Sequence, residues 1–116
     1  MEKFFILYQA PIAEIEKWMK KPEAERKEGE AKMMKEWDEW MKKHQKSIHD
    51  KGAGVGKTLR VTKDGVHPAK NDVMLYGIVE AKSREAAAEM FKDHPHLQIP
   101  HATIEVMTMR AMRGNE

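Results

Sequence analysis

The sequence predicts an α+β domain with a ferredoxin-like βαββαβ order, one antiparallel sheet and helices on one side. Three observations carry this. β-prone and helical segments follow in the order strand, helices, strand, strand, helix, strand. One long helical segment carries a heavy face of tryptophan and methionine. Two strands are apolar on both faces, as suits a sheet buried from two directions.

The first strand is Phe4-Phe5-Ile6-Leu7-Tyr8, apolar without a break. Ala10-Pro11 ends it, and Pro11 suits a first helical turn, where its missing N–H is no loss. Ile12, Ile15, Trp18 and Met19 follow at helical spacing. Pro22 opens a longer helix. There Met33, Trp37, Trp40, Met41, His44 and Ile48 recur at steps of three and four among Lys, Glu, Asp and Gln. Gly29 within it costs about 1 kcal/mol relative to Ala, so the stretch before it is expected to be looser. Lys42, Lys43, Lys46 and His49 complement the negative end of the helix dipole.

Gly52, Gly54 and Gly56 are expected to end that helix. Thr58 to Thr62 reads as the second strand, and Asp64-Gly65 as a hairpin turn after which Val66-His67 pairs back. Asp72 to Glu80 is the best strand. Met74, Tyr76 and Ile78 share one face; Val73, Leu75 and Val79 share the other; Gly77 marks a close approach by another group. Ser83 is the N-cap of a helix burying Ala86, Ala87, Met90 and Phe91, and Pro95 stops it. The last strand runs roughly from His101 to Met109. Residues 1–110 form one domain and 111–116 are expected to be a flexible tail. Helices can cover one face of the sheet only. A second copy packed sheet to sheet is expected to cover the other, giving a two-fold homodimer.

At 116 residues the chain can bury one core. Hydrophobic residues at 41% and charged residues at 34% fit a globular chain. Twenty-one basic residues face nineteen acidic ones, intermixed along the helices, which argues against a nucleic-acid surface. The absence of cysteine excludes disulfides, thiol nucleophiles and Cys-based metal sites. The apolar run Phe4–Tyr8 is far shorter than a signal region or the roughly 20 residues of a membrane span. A cytoplasmic protein with no membrane partner is the resulting expectation.

"KGAGVGKT", residues 51–58, invites a nucleotide reading. A phosphate-binding loop ending in Gly56-Lys57-Thr58 needs its first glycine at 51, where Lys51 stands. The loop must also follow a strand and open a helix, whereas here a helix comes before it and a strand after. No cofactor is expected.

"DHPHLQIPH" holds three of six histidines. His94 and His96 are the candidate acid–base residues; capping of the helix end is the other reading. Their spacing matches no zinc motif, so no metal is expected. Trp37, Trp40, His44 and Tyr8 are candidates for binding a small organic substrate between helix and sheet; a plain core is the alternative.

"KFFILYQAP", "VTKDGV", "YGIVEAKSREAAAEMFKDHPHL" and "IEVMTM" together resemble the YCII-related, or DGPF-domain, family over nearly the whole chain. The resemblance implies a dimeric α+β barrel in which two ferredoxin-like sheets face each other. The superfamily includes small oxygenases, isomerases and ligand-sensing modules. Some short members are thought to use a helix histidine with an aspartate. Trp40-Met41 stands in that stretch here, so the dyad is not carried over to His44 and Asp50. Asp64 and Gly65 match the DGPF motif, with Val66 and His67 in place of Pro and Phe. Two functional readings follow: a small enzyme working in a helix–sheet cleft of a homodimer, or a non-catalytic ligand-binding or regulatory module. A structural interaction protein is the third.

Overall fold

The computed structural model describes residues 1–112. In chain order the elements are β1 (Glu2–Gln9), α1 (Ile12–Met19), α2 (Glu23–Lys43), β2 (Ile48–Gly54), β3 (Leu59–Thr62), β4 (Gly65–Pro68), β5 (Val73–Ala81), α3 (Arg84–Met90) and β6 (Thr103–Thr108). Short 3₁₀ turns at Gln45–Ser47 and Pro95–Gln98 precede β2 and β6. Four strands form one antiparallel sheet in the order β2-β5-β1-β6, and β3–β4 stands apart as a two-stranded ribbon. Three helices and an antiparallel sheet make an α+β fold compatible with the ferredoxin-like layout.

Alternation along the strands decides which face is buried. In β1, Phe4, Ile6 and Tyr8 point to the helices and are buried. They lie opposite Val79, Gly77 and Leu75 of β5. Trp40 from α2, with Ala87 and Phe91 from and just after α3, closes the core over them. Burying side chains of this size stabilises by about 1.5–3 kcal/mol each. The opposite face carries Phe5, Leu7, Met74, Tyr76, Ile78 and Met107. Phe5 and Tyr76 stack there at 5.9 Å. Helices cover only the first face, as expected from the two-sided strands.

Several expectations need correction. The long helix ends at Lys43 rather than at the glycines, because Ile48 pairs opposite Val79 as a strand residue. Sheet pairing at that β-branched residue outweighs the helical spacing that included it. Hence β2, not Thr58–Thr62, is the second strand of the sheet. The glycines of 51–58 belong partly to β2. Gly52 has φ +72, and a Cβ there would collide with the Tyr76 carbonyl; Asp50 Oδ1 accepts the Gly52 N–H at 2.8 Å. This is a bulge that irregularly spaces Asp50 and Ala53 against β5. Gly77 lies beside the same bulge, which explains its close approach.

The helix around Gly29 is continuous, and the glycine is occupied from outside. The Trp18 indole of α1 lies where a Cβ would stand. Pro11 is the N-cap of α1 rather than its first residue. Ala86 is exposed rather than buried; the inward stripe of α3 is Ala87 and Met90, continued by Phe91. β6 starts at Thr103, since His101 takes φ +62 before it. The hairpin reading holds: Val66 and His67 pair with Val61 and Arg60. Of the tail 111–116, residues 113–116 lie outside the described residues.

Gly52→Ala should destabilise by about 1–3 kcal/mol, because positive φ and a backbone collision coincide. Gly54 has no positive φ, and its Cβ would meet only the Met74 carbonyl at 3.9 Å; Gly54→Ala should stay within about 0.5 kcal/mol. Urea unfolding of both variants checks this. Equal losses would contradict the bulge assignment.

Candidate functional site

The six candidate residues converge. Tyr8 at the end of β1 faces Trp37 at 5.2 Å, His94 at 5.3 Å and His96 at 5.4 Å between ring centroids. Trp37 and Trp40 both flank His94, at 4.3 and 4.6 Å. His44 lies at the margin, tilted against Trp40 at 4.3 Å. The i,i+3 spacing of Trp37 and Trp40 puts both indoles on the α2 face that meets the sheet. Trp40 is fixed further by donating from Nε1 to the Met90 carbonyl at 3.1 Å.

The histidines arrive on the 3₁₀ turn that follows α3. Pro95 presets its first residue, and His94 caps it. His94 Nδ1 accepts the His96 N–H at 3.0 Å. His96 Nε2 meets the Gln9 carbonyl at 2.9 Å, across 87 residues of chain. A carbonyl only accepts, so Nε2 of His96 carries the proton. An Nδ1 that accepts leaves the neutral His94 ring protonated at Nε2. That Nε2 is buried with no hydrogen-bond partner. The nearly perpendicular packing on Trp37, 87° between planes, is a geometry in which a ring N–H can meet a π face. Gln98 donates to Glu36 Oε2 at 2.7 Å and ties the turn to α2 from outside.

Both histidines lie below the surface, 2% and 1% exposed. Burial, then the neighbouring His96 and His44, pushes His94 down to about 3. Burial also lowers His96, against the raising effect of the Gln9 and Thr103 backbone. His44 is lowered by desolvation and by Lys43. Burial raises the Tyr8 phenol well above its ordinary range, so it stays protonated. The cluster therefore rests neutral, and burial weakens its histidines as bases. Half-buried Trp37 is its outermost wall. Among the described residues, no group of three or more His, Asp or Glu could hold a metal ion. No helix among them is long and apolar enough to cross a membrane.

A hollow of about 600 Å³ lies elsewhere, between α1, segment 55–58, the ribbon base and the start of β5. Ile12, Ile15, Val55, Leu59, Pro68 and Val73 give it apolar walls. Lys57, with φ +51, stands on its rim; Lys70 there is engaged by Glu16 at 3.4 Å. Backbone bonds from Val55 N to Met74 O and from Ala69 N to Thr58 O frame it, each 2.9–3.0 Å. Sequence reasoning missed this place because its walls come from three separate segments, and the one with a motif, 55–59, was read as a failed phosphate loop.

The buried histidines set a pH dependence. Unfolded histidine titrates near 6.5, and His94 in the fold near 3. Above about pH 6.5 both states are neutral and this group contributes no pH slope. As pH falls from about 6.5 toward 3, the unfolded chain takes up a proton that the fold refuses, so stability falls. His96 acts with the same sign. Urea midpoints measured from pH 7 to 4 should fall steeply. His94→Asn, whose Oδ1 can still accept the His96 N–H, should lose part of that slope; an unchanged slope would sink the assignment.

Comparison of the chain with protein-family models, with curated proteins and with solved structures gives no match, so a functional reading rests on the residues described above.

Proposed function

We propose that the chain is a homodimeric, non-catalytic small-ligand-binding module of the YCII-related type, with its ligand in the hollow beside Lys57. The observation that carries this is the hollow itself: about 600 Å³ and open to solvent, with largely apolar walls and Glu16, Lys57, Thr58, Lys70, Asn71 and Asp72 also lining it. Its volume is in the range of small-molecule sites. The histidine cluster supports the same reading from the other side. Its rings are packed against aromatic neighbours and bonded to backbone, which is how a fold is fastened rather than how a substrate is turned over.

Homodimerisation is supported by the bare sheet face. The molecule is 19 Å thick along its shortest axis, about one helix layer on one sheet. Its radius of gyration is 16.3 Å, against about 13 Å for a compact chain of this length. Phe5, Leu7, Met74, Tyr76 and Ile78 are half-buried on that face without any helix over them. Two such faces brought together would give the barrel that the family resemblance implies.

A small enzyme is the second reading. The one observation in its favour is the unpartnered His94 Nε2, and it requires Trp37 to swing aside.

Titration with 1-anilinonaphthalene-8-sulfonate, a fluorescent probe of apolar hollows, tests the site. The wild type should bind it, and Ile15→Arg should weaken binding at least tenfold while His94→Asn leaves it unchanged. Undiminished binding to Ile15→Arg would refute the hollow as the site. For the dimer, sedimentation equilibrium should give twice the chain mass. Leu7→Lys, which faces Glu105 across β1–β6, should fold and be monomeric.

A further inference from the structure

The β3–β4 ribbon has a feature that the ligand reading leaves unused. Its register places Leu59 opposite Pro68 and Val61 opposite Val66. Directly opposed residues share a face, so these four form one apolar face. Arg60, His67 and Thr62 fall on the other. Yet Leu59 is 64% exposed, Val61 75% and Val66 57%. A two-stranded hairpin is marginally stable alone. One with an apolar face in water is stable only when that face is covered. At its base, Leu59 and Pro68 border the hollow. Toward its tip, Val61 and Val66 stand in solvent.

The same chain carries the other half of such a contact. The bare sheet face is apolar at its centre. Toward its margins it holds Asp50, Glu80 and Glu105 against one lysine, Lys3. The lead-in and the turn of the ribbon carry Lys57 and Lys63 against one carboxylate, Asp64, while Arg60 points away from the apolar face. An apolar strip with basic flanks thus matches an apolar field with acidic flanks. Like charges would have argued for different partners. Four residues per strand give the ribbon a reach of about 14 Å.

We infer that the β3–β4 ribbon is a dimer arm whose apolar face seats on the margin of the uncovered sheet face of a second copy of this chain. The inference rests on the homodimer reading above and adds a surface to it. Each arm buries Val61 and Val66, and the basic flanks meet the partner's acidic margin. The two arms are equivalent under the two-fold axis, so the contact closes at two copies.

Sedimentation equilibrium of the full chain tests this with Val61→Glu/Val66→Glu. A second pair, Val61→Thr/Val66→Thr, keeps β propensity and loses only apolar surface. Both should weaken the dimer, the Glu pair at least tenfold, with circular dichroism unchanged. Raising salt should weaken the wild-type dimer. Hydrogen exchange at the Val61 and Val66 amides should be slower above the dissociation constant than below it. If Leu7→Lys separates the copies while both ribbon variants dimerise as tightly as the wild type, the arm is overturned and the dimer stands. A wild type that is monomeric at all concentrations overturns both.

Discussion

Tyr8 is the point on which the interior depends. It is the last inward-facing residue of the central strand β1, and it is reached by rings from three directions. Trp37 comes from α2, Phe91 from the end of α3, and His94 and His96 from the turn that follows. The histidine turn leads into β6, which pairs with β1 from Gln9–Thr103 to Phe4–Thr108. The His96–Gln9 bond fastens the last third of the chain to its first strand. The Gln9 carbonyl would favour a charged His96, but burial of the ring outweighs it and keeps the bond neutral. The same low dielectric that strengthens it makes protonation costly. A rigid fold at neutral pH and acid sensitivity are therefore one property.

A four-stranded sheet with helices on one side leaves the other side to something else. In this chain that side is not made polar, which would be the ordinary solution for a solvent-facing antiparallel sheet. It is aromatic and aliphatic along its two central strands. The ribbon repeats the pattern on a smaller scale, with one apolar face and no cover. Two unpaired apolar surfaces in one polypeptide, with opposite charge at their borders, are economically explained by each other. They do not meet within the chain, so a second copy is the simplest molecule that brings them together.

How far the sequence was legible depended on how local the deciding interaction was. β1 and β5 follow from runs of five to nine residues and stand where periodicity put them; α3 starts at its serine cap but ends at Met90, well before Pro95. The Trp37–Trp40 face followed from helical spacing. What could not be read was competition between partners distant in sequence. Ile48 satisfies the helical spacing of α2 and also a place opposite Val79, and only the folded sheet decides between them. Gly29 looks like a helix weakness until Trp18, eleven residues earlier, is seen lying on it. The candidate site divides in the same way. The helix side of the site, Trp37 and Trp40, was legible from spacing. That His94 and His96 join it at Tyr8, that all of them close into a core, and that a hollow lies beside Lys57 were not, since each depends on side chains from several segments.

The glycine segment at 51–58 links these threads. Its resemblance to a phosphate loop was superficial, but neither is it a helix cap. Gly52 allows β2 to bulge against the Tyr76 carbonyl. The bulge shifts the register of the edge strand, and bulged strands bend and twist more strongly. Past it the chain leaves the sheet at Gly54, lines the hollow with Val55 and Lys57, and only then forms the ribbon. Pairing resumes beyond the bulge at Ala53 and Gly54 and ends where β5 itself begins. Gly52 is thus needed where backbone meets backbone, and the hollow and the ribbon both begin where the strand leaves β5.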